Sequence, residues 1–158
     1  MFRDVVRVKQ KLSEAECIAL LKREVRGVLA VQGDDSYPYA VPTNYWYCAE
    51  DGKLYFHSGK TGHKIDGIRR NEKVSFCVYD SGVRKGDDWA LTFQSVIVFG
   101  KIRMMEDYER AMEITRQLSL RFTADTAYIE HEVAQFGKDT LVFALEPEFI
   151  SGKTIHEA

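Results

Sequence analysis

Apolar residues in this chain recur mostly at every second position, in runs broken by turn residues, and that periodicity restricts the fold most. In YPYAVPTNYWYC, residues 37–48, one face carries Tyr39, Val41, Thr43, Tyr45 and Tyr47. The other carries Ala40, Pro42, Asn44 and Trp46. Strict alternation is the signature of a strand. EDG at 50–52 is a hairpin turn signal, and KLYFHS is the return strand. VLAVQ, KVSFCVY, LTFQSVIVFGKIRMM and DTLVFALEPEFIS read as further strands, with Gly100 as a bulge or bend. Hairpins dominate and no βαβ alternation is visible. The expected class is mainly β with flanking helices, as a small closed barrel of about six strands rather than a doubly wound sheet.

Helical patterns fill the connections. SEAECIALLKRE opens on a capping box, Ser13 with Glu16, and Gly27 is expected to end it. From Thr61, TGHKIDGIRRN reads as a short helix with Thr61 as N-cap, Ile65 and Ile68 on one face and Asn71 closing it. EDYERAMEITRQLSLRF is amphipathic, with Ala111, Ile114, Leu118 and Phe122 inward, and DTAYIEHEVAQF is a second helix. GDDS at 33–36 is a turn and DSGVRKGDDWA a polar loop. No Pro/Gly/Ser-rich linker divides residues 1–158, so a single domain is expected.

At 45% hydrophobic residues the chain can build a real core, and its net charge of −2 gives nucleic-acid binding no support. No apolar run reaches bilayer length. The opening MFRDVVRVKQKLSEAE lacks a signal core, so no membrane partner and a cytoplasmic location are expected. Cys17, Cys48 and Cys77 are odd in number and widely spaced, which favours reduced thiols.

The chemistry concentrates in YFHSGKTGHK, residues 55–64. GKT at 59–61 resembles the tail of a phosphate-binding loop, but the required earlier glycine is Leu54, inside a strand. His131-Glu132 begins an HExxH pattern whose second histidine is replaced by Gln135, and no metal site is expected. No GxSxG elbow is present. What remains is a strand-to-helix junction rich in His57, Ser58, Lys60, Thr61, His63 and Lys64. Free N–H groups at a helix start, with ammonium and hydroxyl groups, suit an anion such as phosphate. Pro42 removes a ladder donor in mid-strand. It marks an edge, a bulge, or a place where a flat ligand with hydrogen-bonding edges lies alongside.

Three blocks in this order, GVLAVQGDDSYPYAVPTNYWY, GKLYFHSGKTGHKIDGIRRNEKVSFCVY and SVIVFGKIRMMED, resemble the flavin-binding split β-barrels of the pyridoxamine 5′-phosphate oxidase-like superfamily. The nearest likeness is to the nitroimidazole-resistance branch, over Gly27 to Asp107. The resemblance implies a homodimer with FMN at the subunit interface. It implies phosphate contacts from Ser58, His63 and Lys64. The ring would lie along Val41, Pro42, Thr43 and Asn44, near Phe56 and His57, with Gln94 and Ser95 reaching in from the partner. LTFQSVIVFG is apolar on both faces around Gln94 and Ser95, as a strand at such an interface would be. The rival expectation is that the helix at 107–122 covers it.

Two departures narrow the chemistry. The oxidase's Arg-Lys phosphate pair is His63-Lys64 here, and its C-terminal arginine motif gives way to SGKTIHEA. Vitamin B6 oxidation is therefore not implied, whereas flavin binding is. The reading that follows is an FMN-dependent oxidoreductase of the nitroreductase kind, with His57 as proton donor. The alternative is a non-catalytic flavin- or haem-binding carrier or redox sensor, and a relative using a deazaflavin also stays open.

Overall fold

The computed structural model describes residues 1–157. Six long strands form the sheet: β1 (Arg26–Gln32), β2 (Pro38–Asn44), β4 (Leu54–Gly59), β5 (Lys73–Tyr79), β7 (Leu91–Met104) and β8 (Thr140–His156). Two short ones, β3 (Trp46–Tyr47) and β6 (Val83–Arg84), complete it. The hydrogen-bonded order is β2-β1-β5-β7-β8-β4-β3, with β6 on β7, and every pairing is antiparallel. The sheet curls into a split barrel whose path stays open, with β2 and β3 at its two ends.

The single strand expected over 37–48 is in fact two. The side-chain alternation continues through it, but β2 pairs with β1 whereas Trp46 and Tyr47 pair with Tyr55 and Leu54. The chain therefore crosses from one end of the sheet to the other at Tyr45. That residue is the corner pin. Its N–H donates to Val25 O, its hydroxyl donates to Leu21 O at 2.8 Å, and its ring is fully buried. It packs edge-on against Phe76 at 5.0 Å, and Phe76 meets Phe56 the same way at 5.0 Å.

Inward residues of each strand fill the barrel: Leu29, Val31, Phe56, Phe76, Val78, Val96, Val98, Ile102, Phe143 and Leu145. Cys17, Leu20 and Leu21 of α1 (Glu14–Arg23) and Ile65 and Ile68 of α2 (His63–Arg70) join the same core. The α1 capping box is present, as the sequence indicates. Helix α1 ends at Arg23, however, and Gly27 lies within β1. A Cβ there would stand 2.5 Å from Phe76 Cζ, so that glycine serves packing rather than helix termination. A second apolar cluster lies between the outer face of β4 and β8 and the helices α3 (Tyr108–Leu120) and α4 (Thr126–Phe136). Ala111, Met112, Ile114 and Leu118 are buried there, whereas Phe122, expected inward, lies past the end of α3 and is half exposed at 51%. All three cysteines are free. Among the described residues no helix is long and apolar enough to cross a membrane.

Gly100 marks the bulge foreseen from sequence. The β7–β8 register slips between Phe99 and Gly100, which face Phe149 and Pro147, so Glu148 is the extra residue. A Cβ on Gly100 would stand 2.1 Å from Glu146 O, a backbone atom of the neighbouring strand. Gly100→Ala will therefore force the two longest strands apart. A loss of about 3 kcal/mol is expected, read as a lower midpoint in urea. An unchanged midpoint would mean that the bulge adapts freely.

Candidate functional site

Strands β2 and β4 face each other across the split. The β3–β4 register pairs Trp46 with Tyr55. Continued past the corner, it would set Asn44 opposite His57, Thr43 opposite Ser58 and Pro42 opposite Gly59. The strands part there instead, although β2 and β4 remain near neighbours. β2 is bonded only to β1, and Phe56–Gly59 only to β8. The cleft is thus walled by two free strand edges. Unpaired edge groups seek a partner, and Pro42 has no N–H to offer one. Of the readings open for Pro42, the strand edge is the one observed.

At the end of the cleft β4 leads into α2. The expected cap, Thr61, does not cap it. The N-cap is Gly62, at φ +130°, and no side chain satisfies the first turn. The N–H groups at this helix start have no intrahelical acceptors. A side chain on Gly59 or Gly62 would meet nothing within 4 Å, so the approach is open. Lys64 is half-buried, and among the described residues it enters no ion pair. Desolvation lowers its pKa. An ammonium held partly out of water beside free N–H groups is a ready anion contact. Lys60 differs, because it is exposed and bridges to Asp139 at 3.4 Å.

His63 is engaged on its ring face and at one nitrogen. Its ring stacks on Tyr39 at 4.0 Å, and its Nε2 accepts the Asp34 N–H at 3.3 Å. Arg70 donates to Gln32 O, Gly33 O and Asp34 Oδ1, so both side chains hold the 33–36 turn. Only Nδ1 of His63 is left for a ligand. His57 is exposed, on the same outer face of β4 as Tyr55. Desolvation lowers its pKa from 6.5, and the nearby Lys64 charge lowers it further. In Lys64→Ala the His57 titration will therefore move up, back toward 6.5, with the desolvation effect retained. NMR titration of the ring protons measures this, and an unmoved or lower midpoint would contradict the proximity of the two groups.

Val41 and Asn44 are half-buried, Pro42 is exposed, and Thr43 is buried with its hydroxyl donating to Val41 O. Ser58 is half-buried at the cleft. The Phe56 side chain lies in the barrel core, 2% exposed, so only its main chain can reach a ligand. Gln94 and Ser95 are not brought to the cleft. Ser95 pairs with Tyr79. Continuing the β1–β5 register puts it in one row with Arg26 and Asn44, three strands from the β2 edge, roughly 15 Å. Sequence reasoning overlooked Arg26, whose Nε donates to Asn44 Oδ1 at 2.7 Å. An isolated arginine before a strand carries no signal, and only the β1–β2 register places it beside the cleft.

The outer face of β2, β1, β5 and β7 carries no helix. It presents Pro42, Val28, Cys77 and Ile97 in one row, with Tyr79, Ser95 and Phe99 beside it. Helix α3 packs on β4 and β8 instead, so it does not cover β7. A groove of about 640 Å³, lined by Phe2, Ala30, Gln32, Lys73, Ser75 and Phe99 among others, opens on this face rather than on the cleft.

Residues 13–154 match the family model described as pyridoxamine 5′-phosphate oxidase. Among curated proteins none matches in sequence. Several solved structures share the fold. A candidate 5-nitroimidazole antibiotic resistance protein from Bacteroides thetaiotaomicron is 20% identical with a TM-score of 0.75, covering 92% of this chain and 87% of that one. An FAD-binding protein from Mesorhizobium loti is 25% identical with a TM-score of 0.65, covering 92% and 97%. A conserved hypothetical protein from Mycobacterium tuberculosis is 22% identical with a TM-score of 0.76, covering 96% and 90%.

Proposed function

This chain belongs to the pyridoxamine 5′-phosphate oxidase family, and on that premise we propose that it binds a flavin, FMN, in the cleft between β2 and β4 and works as an oxidoreductase. The observation that carries the reading is the pair of facing free strand edges ending at an uncapped helix start beside Lys64. A flat ring with hydrogen-bonding edges fits the first feature and a terminal phosphate the second. The likeness to an FAD-binding protein at 25% identity supports a flavin. Lys64, Ser58 and the α2 N–H groups would hold the phosphate, with Nδ1 of His63 in reserve. Val41, Thr43 and Asn44 would orient the ring. Once bound, a flavin would supply the hydride and electron chemistry. His57, whose pKa is lowered by desolvation and by the nearby Lys64 charge, would exchange a proton at the cleft mouth.

The molecule would act as a homodimer through the helix-free outer face of β1, β5 and β7, with Gln94 and Ser95 completing the partner's cleft. The likeness to the candidate nitroimidazole-resistance protein makes nitroaromatic reduction the first activity to assay. The second reading, a flavin carrier or sensor, draws on the cleft mouth offering a single imidazole, His57, while Lys64 and His63 stand at the phosphate end. NAD(P)H oxidation by the flavin-loaded protein, with and without a nitroaromatic acceptor, separates them. Acceptor-dependent turnover supports the enzyme. Tight flavin uptake with no turnover supports the carrier.

A further inference from the structure

We propose that Arg26 is a specificity-determining residue of the cleft, recognising a planar two-oxygen group, carboxylate or nitro, on the substrate. This rests on the flavin reading above. Arg26 opens β1 and stands opposite Asn44 in the β1–β2 register. Its Nε donates to Asn44 Oδ1 at 2.7 Å. A guanidinium has no acceptor, so the amide oxygen must face Arg26. The Asn44 NH2 is then turned away from the guanidinium and, among the described residues, makes no hydrogen bond. Beyond the split stands His57, on the same outer face. By register Arg26, Asn44 and His57 thus share the outer face beside the cleft.

Arg26 is exposed in the single chain, and its terminal nitrogens are unclaimed there. Among the described residues the Arg26 side chain enters no ion pair and makes no hydrogen bond but the one to Asn44. Arg23, Arg70, Arg103, Arg110 and Arg116, by contrast, each meet a carboxylate. With Nε fixed, the remaining fork is pre-oriented for two coplanar oxygens, the geometry that guanidinium recognises best. Asn44 works as the positioning residue for that fork.

The test uses the flavin-loaded protein, with benzoate and nitrobenzene as probes of the two sources and benzyl alcohol as a control lacking the two-oxygen group. Binding is followed by calorimetry and by the flavin absorbance change. Arg26→Ala is expected to weaken benzoate about tenfold to a hundredfold and nitrobenzene less, with benzyl alcohol unchanged. Arg26→Lys restores charge without the fork, so it will recover part of the benzoate affinity and none of the nitrobenzene affinity. Equal affinity for benzoate in wild type and Arg26→Ala, no benzoate binding to wild type, or an equal loss for benzyl alcohol overturns the proposal. Flavin content is measured first. A protein that takes up no flavin overturns the flavin reading with this one, whereas a flavin-loaded protein indifferent to Arg26 overturns this one alone.

Discussion

Lys64→Ala will weaken FMN binding about tenfold to a hundredfold, and riboflavin binding hardly at all. The factor follows from one charge-assisted hydrogen bond, roughly 1.5–3 kcal/mol. Lys64 stands in the first turn of α2, half-buried and, among the described residues, without a carboxylate partner, where its ammonium and the uncapped N–H groups can meet one anion. Riboflavin has the ring but not the phosphate, so it separates an anion contact from damage to the fold. Lys60→Ala is the internal comparison. That lysine is exposed and already spends its charge on Asp139 at 3.4 Å. An exposed pair of this kind is worth only about 0–1 kcal/mol. Flavin fluorescence titrations of apo protein, with both ligands and both variants, decide the matter. Equal losses for FMN and riboflavin, or a larger loss at Lys60, would contradict the phosphate assignment.

Ile97→Lys is expected to split the proposed dimer while leaving the barrel folded. Ile97 is 38% exposed on the outer face of β7, in a row with Val28 and Cys77, and its inward neighbours Val96 and Val98 fill the core. A lysine there costs the barrel little. In an interface it leaves an unpaired charge, about 3–5 kcal/mol, enough to weaken association at least about a hundredfold. FMN retention will fall with it, because Gln94 and Ser95 would reach the cleft only from the partner. Light scattering at low micromolar concentration, with a thermal melt as folding control, reads both effects. A variant that stays dimeric, or a monomer that holds FMN as tightly as wild type, would contradict the shared site.

The six long strands were legible because alternation is local. So were the α1 capping box, the inward residues Ala111, Ile114 and Leu118, and the Gly100 bulge. The break at Tyr45 was not. Side chains alternate straight through it, and only the change of pairing partner, a long-range fact, reveals a corner. Gly27 reads as a helix stop until Phe76 and Cys77 occupy the space where its Cβ would sit. Phe122 follows the helical period, yet the helix ends before it does. The polar strand-to-helix junction at 57–64 was readable as composition. That Gly62 rather than Thr61 caps α2 depends on backbone angles, and that His63 turns to Tyr39 and Asp34 depends on the 33–36 turn packing beside it. Arg26 was invisible for the same reason, standing beside the cleft by register alone.

On the proposed reading a phosphorylated flavin fills the cleft between β2 and β4. The most direct measurement is the absorption spectrum and ligand stoichiometry of the purified protein after incubation with excess FMN and gel filtration. The expected result is the paired flavin bands, co-eluting with the protein at about one FMN per chain and lost in Lys64→Ala at low ligand concentration. A colourless protein after that treatment, or a haem band in place of the flavin bands, would contradict it.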